Sequence, residues 1–219
     1  MPDSLLHKKI LITAGPTYER IDPVRFIGNF STGKMGFALA EACAERGAEV
    51  VLITGVTSLS VSHPNIRRID VESALEMYNV AVQEFPETDI AILSAAVADY
   101  RPLQTADKKI KRAEGENITI TLVPNPDIAA SLGKMKQPHQ FLVGFALETN
   151  NEEANAMKKL TKKNLDLIVL NSLNDSGAGF GHDTNKVSVL FANGEKKSFG
   201  LKSKKEVARD IVDIIVGLS

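Results

Sequence analysis

The stretch KKILIT (residues 8–13) is a short apolar run that ends in a Gly-Pro turn, a pattern that predicts a buried β-strand. KMGFALAEACAERG (residues 34–47) then carries Ala, Leu and Phe at helical spacing and ends at a glycine, which is common just after a helix. AEVVLITG (residues 48–55) predicts a second buried strand. A strand, a helix and another strand in this order are typical of a parallel sheet covered by helices.

The same alternation continues along the chain, and only its last strands differ. KVSVLFANGEKKSF (residues 186–199) holds an Asn-Gly pair between two strand-like runs and predicts a β-hairpin. We therefore predict one domain over residues 1–219, of the Rossmann-like three-layer α/β/α class, with a mostly parallel sheet and a C-terminal hairpin at one edge. A segment at about 102–123 is a candidate for a small subdomain. Further helices are predicted in residues 70–85, from Asn125 as a cap, in 151–164 and from a Ser203–Glu206 capping box, and further strands in 89–97, 117–123, 141–147 and 165–171.

Composition and charge limit the class of protein. The chain has 219 residues and a formal net charge of −1, so no overall field favours nucleic acid or a membrane surface as a partner. Its single cysteine, Cys43, excludes an internal disulfide and a multi-cysteine metal site, and the four histidines lack ligand-like spacing. No apolar run approaches the length of a membrane span, and the N-terminus lacks the apolar core of a signal peptide. We expect a soluble, cytoplasmic protein.

The segment GNFSTGKMG (residues 28–36) nearly spells a P-loop. Met35 stands where that motif needs a hydroxyl for magnesium, and about fourteen residues separate Gly28 from the end of the first strand, so the geometry of a Walker loop is absent. Ser31, Thr32 and Gly33 still precede a helix, whose free N–H groups favour an anion, and Lys34 adds a cation. The alternative is that Ser31 or Thr32 caps the helix and that Asn29 is a turn residue.

The segment SAAVADYRP (residues 94–102) follows a predicted strand with small residues, which allow a ligand to approach the backbone. Asp99 would then project from the carboxyl edge of the sheet, where such folds bind ligands. A solvated turn before Pro102 explains the same residues equally well.

Two lysine clusters have the same ambiguity. DKKIKR (residues 107–112) resembles a nuclear localisation patch or a nucleic-acid contact, but short basic runs are usually solvated and too few aromatic residues surround this one for base stacking. The alternative is that it delivers one lysine to polyphosphate. On the helix in residues 151–164, Lys159 and Lys163 share one face, and Lys158 and Lys162 share another. Either a multivalent anion or simple solvation accounts for these charges.

In combination, these segments resemble a known family. The carriers of the resemblance are ITAGPTYERIDPVRFIGNFSTGKMG, AAVADYRP, KKIKR, NPDI, GFALETNN and KNLDLIVLN, which follow the order found in the phosphopantothenoylcysteine synthetases (phosphopantothenate–cysteine ligases) of coenzyme A biosynthesis. The resemblance covers nearly the whole chain. NFSTGKMG is similar to the bacterial type, which implies CTP as the nucleotide substrate, with Mg²⁺. The chain departs from the family at Gly55-Val56, where the family often has Gly-Pro.

The resemblance implies a reaction in two steps. The carboxylate of 4′-phosphopantothenate attacks the α-phosphate of CTP to give an acyl-cytidylate and pyrophosphate, and the amine of L-cysteine then displaces CMP. The resemblance implies that Asn29 is catalytic in the second step and Lys109 in the first. The start of the helix, at Ser31, Thr32, Gly33 and Lys34, is our own candidate for the phosphopantothenate anion, together with Asn29. The resemblance further implies a nucleotide site made of Ser94, Ala95, Ala96, Asp99, Lys109, Pro126, Asp127, Ile128, Ala129, Phe145, Lys159 and Lys163.

The resemblance also implies partners. Family members work as homodimers, and the segment after Tyr100 is our candidate for the exchange between subunits. In many bacteria the ligase domain follows a flavin-dependent phosphopantothenoylcysteine decarboxylase, so we expect either a free-standing ligase or one domain of a bifunctional protein. We expect no flavin, no nucleic acid and no membrane partner for this chain.

Two rival functions are weighed against the ligase. The first strand and helix also resemble those of an NAD(P)-dependent short-chain oxidoreductase, but no tyrosine is followed four residues later by the lysine that such enzymes use. The other rival is a non-catalytic nucleotide-binding partner of a decarboxylase, which the presence of Asn29 and Lys109 disfavours.

Overall fold

Residues 4–111, 117–172, 179 and 181–218 are described by the computed structural model, and they form the alternating elements that the sequence predicts. The helices are α1 (Lys34–Ala44), α2 (Ala74–Glu84), α3 (Ile128–Met135), α4 (Glu152–Lys162) and α5 (Lys204–Val216), with a short 3₁₀ turn at Phe85–Glu87. The strands are β1 (Lys9–Ala14), β2 (Tyr18–Arg20), β3 (Phe26–Gly28), β4 (Glu49–Thr54), β5 (Ile66–Asp70), β6 (Ile90–Leu93), β7 (Tyr100–Pro102), β8 (Leu122–Pro124), β9 (Phe141–Glu148), β10 (Leu167–Ser172), β11 (Thr184–Asn185), β12 (Val187–Phe191), β13 (Lys196–Ser198) and β14 (Lys202–Ser203).

The main sheet has the order β13-β12-β10-β9-β6-β1-β4-β5. The strands from β10 to β5 are parallel to their neighbours, whereas β12 and β13 are antiparallel and form the edge hairpin. The predicted class, a Rossmann-like α/β fold with a hairpin at one edge, is confirmed. After β1 the chain moves to β4 on one side, and it later returns to β6 on the other side of β1. This reversal is the topological switch point at which such sheets bind ligands.

Side chains alternate across β1 and build a core on each face of the sheet. Ile10 and Ile12 pack with Cys43 of α1 and Ile211 of α5, whereas Leu11 packs on the opposite face with residues of α2, α3 and α4. The period of two in a strand produces this division. The three-layer arrangement follows, with α1 and α5 on one face. No helix in the described part of the chain has the length and apolar character needed to span a membrane.

Several local predictions are corrected by the structure. Residues 117–123 were predicted as a strand, but only Leu122–Pro124 is extended, in a small antiparallel pair with β7, and residues 112–116 of the candidate subdomain lie outside the described part. Helix α3 is capped by Asp127, whose Oδ1 accepts from the N–H of Ala130 at 3.0 Å, and not by Asn125. The sequence analysis did not predict strand β5, because Arg67 and Arg68 interrupt the apolar pattern of a strand. The Ser203–Glu206 capping box of α5 is confirmed.

A hairpin of β2 and β3 interrupts the connection between β1 and α1. Its strands pair antiparallel, with Tyr18 opposite Gly28, and the rings of Tyr18 and Phe26 stack at 3.9 Å between centroids. This excursion accounts for the long spacing that excluded a Walker loop. It also places Asn29 directly after β3, at the entrance to the sheet edge.

Candidate active site

The switch point opens into a crevice because the loops that follow β1 and β6 run alongside one another beyond the sheet. The N–H and hydroxyl of Ser94 donate to the carbonyl oxygen of Thr13 at 3.2 and 2.7 Å. The N–H of Ala96 donates to the carbonyl of Gly15 at 2.9 Å. Gly36 of α1 lies so close behind these loops that a Cβ there would stand 2.5 Å from that of Ala14. Because the residues at these positions are small, the start of α1 packs directly against the ends of β1 and β6.

Two compartments share the floor of this crevice. The large cleft has a volume of about 480 Å³, the small pocket has one of about 150 Å³, and Ala95, Ala96, Phe145 and Leu147 line both. The large cleft is completed by Thr13, Asn29, Leu93, Val97, Ala98, Asp99, Asn125, Pro126, Asp127, Ile128, Ala129, Gly144, Lys159, Lys163, Leu165 and Ile168. The small pocket is completed by Ser31, Thr32, Gly33, Lys34, Met35, Gly36, Ser94, Ala146, Asn171, Gly179, Asn185 and Lys204.

Most of the site residues named from the sequence line one of these compartments. All the candidate nucleotide residues except Ser94 and Lys109 line the large cleft, and Ser94 lines the small pocket beside the helix start at 31–34. Lys109 is exposed and lines neither compartment, so the structure of one chain does not bring it to the crevice. The two groups of predicted residues therefore lie mainly in two adjoining spaces, but Asn29 lines the large cleft and Ser94 lines the small pocket.

Asn29 stands at the rim of the large cleft and is fixed by its side chain. Its Nδ2 donates to the carbonyl oxygen of Ala96 at 2.9 Å, and Ala96 lines both compartments. This contact identifies the amide nitrogen as the donor, so the other atom of the amide, Oδ1, is an acceptor.

Lysines of α4 supply positive charge to the large cleft. Lys163 pairs with Asp127 at 2.9 Å, and Lys159 pairs with Glu148 at 2.6 Å. Burial acts to raise the pKa of Asp127, but the hydrogen bonds from Ala130 and Lys163 outweigh it and hold that pKa below its usual value. The predicted division of the α4 lysines between two faces is confirmed, because Lys158 and Lys162 line a separate shallow groove on the outside of the helix.

Helix α1 begins in the small pocket without a side-chain cap. Its N-cap is Gly33, with φ of 83°, and the hydroxyl of Ser31 accepts only from the N–H of Gly33, at 3.3 Å, among the described residues. The alternative in which Ser31 or Thr32 caps the helix is therefore wrong. The first turn also carries no acidic residue. Free N–H groups and the positive end of the helix dipole at the wall of a pocket suit an anion.

Three charged groups surround the same helix start. Lys34 Nζ donates to Asp183 Oδ1 at 2.5 Å, and this bond lowers the pKa of Asp183 below its ordinary value. Lys204 is only 8% exposed, and its Nζ donates to the carbonyl oxygens of Gly179 at 3.1 Å and His182 at 2.6 Å. Burial lowers the pKa of Lys204, and the nearby charge of Lys34 lowers it further. Two lysines and one aspartate leave this pocket with a net positive charge.

Asn171 and Lys204 line the small pocket, and the sequence analysis did not find them. Asn171 Oδ1 is buried and accepts no hydrogen bond from the part of the chain that the structure describes. A signal existed for each, since Asn171 closes an apolar strand at the carboxyl edge of the sheet, and Lys204 places a cation in the first turn of a helix, against its dipole. Among the described residues, no three His, Cys, Asp or Glu side chains lie close enough together to hold a metal ion.

Comparisons with known proteins found a matching family and solved structures of similar fold. The sequence pattern of the family described as DNA/pantothenate metabolism flavoprotein C-terminal domain matches residues 5–218. A solved structure, that of the C-terminal domain of coenzyme A biosynthesis bifunctional protein CoaBC, superposes with a TM-score of 0.83 at 41% sequence identity and covers 99% of this chain and 97% of that one.

Two curated relatives are longer than this chain. The coenzyme A biosynthesis bifunctional protein CoaBC of Vibrio vulnificus (strain CMCP6) is 46% identical over 212 residues, which are 96% of this chain and 52% of that protein. A protein named cysteine/cysteine sulfinic acid decarboxylase, from an unknown prokaryotic organism, is 56% identical over 211 residues, which are 96% of this chain and 58% of that protein. The chain thus spans about half the length of the curated relatives it matches.

Proposed function

The chain belongs to the family of the DNA/pantothenate metabolism flavoprotein C-terminal domain, and on that premise we propose that it ligates L-cysteine to 4′-phosphopantothenate, with CTP as the activating nucleotide. One observation carries the proposal. Asn29 is anchored to Ala96, a residue on the shared floor of two compartments, one with two lysines and the size for a nucleotide and one with an uncapped helix start that suits an anion. A reaction that joins a nucleotide to a phosphorylated acid needs two such spaces in contact.

The first step forms a mixed anhydride in the large cleft. A carboxylate oxygen of phosphopantothenate attacks the α-phosphorus of CTP, and the bond from that phosphorus to the bridging oxygen breaks, so that pyrophosphate leaves with the electron pair. Negative charge grows on the leaving group. Lys159 and Lys163 neutralise it after exchanging their carboxylate partners for phosphate oxygens. Lys109 lies outside the crevice of its own chain, so its part in this step rests on the exchange of the segment after Tyr100 between subunits.

The second step takes place at the acyl carbon of the same intermediate, the acyl-cytidylate. The amine of cysteine attacks the acyl carbon, CMP leaves with the electrons of the carbon–oxygen bond, and the amine loses a proton. Charge then develops on the acyl oxygen, and the Asn29 amide is the donor at the boundary of the compartments that stabilises it. Each half-reaction thus depends on a different residue.

The small pocket holds the phosphopantothenate. Its phosphate meets the free N–H groups at the start of α1, together with Lys34 and Lys204. The buried acceptor Asn171 Oδ1 suits an N–H or hydroxyl donor of the pantothenate chain, which carries both. Ordinary acids without a phosphate lack the charge that this end of the pocket matches.

Magnesium belongs to the proposal as the companion of the triphosphate. Asp99 and Asp127 are carboxylates of the large cleft, but Asp127 is already engaged by Ala130 and Lys163, so the described residues offer no preformed site and the phosphates would supply most ligands of the ion. When bound, the ion would reduce the negative charge of the phosphates.

The partners follow from the same family membership. Among the described residues, exposed apolar side chains concentrate on residues 24–30, 100–103 and 118–122, with Phe30 92%, Val24 60% and Leu103 58% exposed, and this supports a homodimer built on that surface. The double length of the relatives supports a decarboxylase domain as a fused or separate partner. A cytoplasmic location remains part of the proposal. The short-chain oxidoreductase alternative loses its support to the family match.

The test is pyrophosphate release by the protein with magnesium, 4′-phosphopantothenate and either CTP or ATP, in the presence and absence of cysteine. We expect CTP-dependent release in both cases and, by mass spectrometry, the cysteine adduct only when cysteine is added. Equal release with ATP would contradict the CTP preference. Nucleotide binding without release, from folded protein, would instead support the non-catalytic partner of a decarboxylase.

A further inference from the structure

Asp22 is a buried carboxylate that lies outside both compartments. It occupies the turn between β2 and β3 and is 1% exposed. Its Oδ1 accepts from the N–H groups of Val24 at 2.8 Å and Arg25 at 2.9 Å, which is the usual way in which an aspartate closes a turn. Its Oδ2 binds the guanidinium of Arg25 and also accepts from the N–H of Ile110 at 3.1 Å. The last contact joins residues 88 positions apart in the chain.

Arg25 also binds Ile110, and we refer to the Asp22–Arg25 pair as the clamp on Ile110. Its Nη2 donates to the carbonyl oxygen of Ile110 at 2.9 Å, so both backbone groups of Ile110 are held by the Asp22–Arg25 pair. Two further bonds attach the preceding residues to β2 and the turn. The N–H of Ala106 donates to the carbonyl of Ile21 at 3.0 Å, and the hydroxyl of Thr105 donates to that of Arg20 at 3.0 Å.

The two connected segments end next to the residues assigned to the two half-reactions. Ile110 directly follows Lys109, and β3 ends at Gly28, directly before Asn29. The β2–β3 hairpin is therefore bonded to the segment that carries Lys109 and leads directly into Asn29. A turn alone needs only the Oδ1 contacts, so the role of Oδ2 extends beyond local structure.

We propose that Asp22 is a positioning residue for Lys109, because it holds the segment that carries Lys109 against the hairpin that leads into Asn29; this inference rests on the proposed ligase function. The clamp fixes the backbone on one side of Lys109 to the same hairpin that delivers Asn29. Misplacement of a catalytic group by about 1 Å lowers a rate by about 100-fold, so a carboxylate remote from the chemistry acts through this geometry.

The variant Asp22→Asn separates the two oxygens of the carboxylate. It retains an Oδ1 acceptor for the turn, but its amide nitrogen cannot accept from Ile110 or Arg25. We expect kcat for pyrophosphate release to fall by about 10- to 100-fold while KM for CTP changes little. Asp70→Asn, the same change at a surface carboxylate paired with Arg68, serves as the matched control and should retain the wild-type rate.

A double-mutant cycle distinguishes positioning from stability. If Asp22 acts through Lys109, Asp22→Asn has no further effect on the rate in a Lys109→Gln background. Multiplicative losses in the double variant, or an unchanged rate in Asp22→Asn, would overturn the proposal. Hydrogen exchange at the Ile110 amide should also accelerate in Asp22→Asn, and unchanged exchange would overturn the clamp. Wild-type protein that releases no pyrophosphate would refute the ligase itself, an outcome separate from all of these.

Discussion

Asn29 Nδ2 donates to the carbonyl oxygen of Ala96 at 2.9 Å, across 67 positions of the chain. The bond joins the end of β3 to the loop that follows β6, which is itself paired with the loop after β1. A residue from a hairpin outside the main sheet is thereby fixed to the switch point of that sheet. Its orientation depends on the fold of both segments.

Asn29→Asp should separate the half-reactions. A carboxylate cannot donate to Ala96 or to a developing oxyanion, and it adds a negative charge where charge develops in the second step. We expect pyrophosphate release to persist while formation of the cysteine adduct falls by about 100-fold or more. Equal loss of both products would contradict the role assigned to Asn29.

Lys109→Gln should slow the first half-reaction, the release of pyrophosphate. Without this cation the pyrophosphate leaving group is less stabilised, and we expect release to fall by about 100-fold or more, measured in the absence of cysteine. Lys108→Gln removes the same charge from the neighbouring exposed residue and should leave the rate nearly unchanged. Similar losses in the two variants would show that the charge of the segment, and not the position of Lys109, matters.

Lys163→Ala should weaken nucleotide binding, since its ammonium lines the large cleft beside Asp127. The loss of one charge-assisted bond to phosphate corresponds to about a tenfold or larger rise in KM for CTP. Lys162→Ala, on the outer face of the same helix, controls for helix stability and overall charge. A rise of equal size in the control would remove Lys163 from the site.

Gly55→Ala should destabilise the crevice. A Cβ at Gly55 would stand 1.8 Å from the carbonyl oxygen of Pro16, in the loop bridged to Ala96. Relief of this overlap requires backbone movement, and we expect a loss of about 2 kcal/mol or more in the free energy of unfolding, with a Tm lower by roughly 5 °C. Gly200→Ala is the matched control, because nothing lies within 4 Å of its Cβ position. Equal Tm values for the two variants would contradict this prediction.

The buried Asp22 should make the stability of the protein depend on pH in the acid range. The hydrogen bonds from Arg25 hold the pKa of Asp22 well below its usual range, against the effect of burial. Between the unfolded value of about 4 and the folded value, the unfolded chain binds more protons, so stability rises with pH. The contribution is complete above about pH 4 and is lost as pH falls below it. Asp22→Asn should therefore show a smaller loss of Tm on acidification, and an unchanged loss would contradict the assignment.

The fold could be predicted from the sequence because its central strands are buried on both faces and read as continuous apolar runs. Strand β5 could not, since it is an edge strand that tolerates Arg67 and Arg68 on its sides. Residues 117–123 show the reverse error: a regular alternation of polar and apolar residues predicted a full strand, but only the last of them pair with β7. Periodicity reports which side chains suit a sheet and does not supply a neighbouring strand.

The site could be predicted in part for a similar reason. Residues 126–129 and the lysines of α4 follow predicted elements at the carboxyl edge, where the topology brings them together. Lys204 and Asn171 were missed because each looks like part of its own element, and only the packing of α5 and β10 around one pocket reveals them. The clamp at Asp22 depends on a contact 88 residues away, for which the sequence holds no local signal.

The burial of Cys43 limits the reactivity of its thiol. It is 1% exposed on the buried face of α1, and burial raises the pKa of its thiol to about 12. Thiolates are strong nucleophiles, and an acyl-cytidylate is an acylating agent. The sequence holds no other sulfhydryl. Under the proposed ligase function, which makes such a reagent for an incoming cysteine, the buried thiol of Cys43 lies where the acyl-cytidylate cannot reach it.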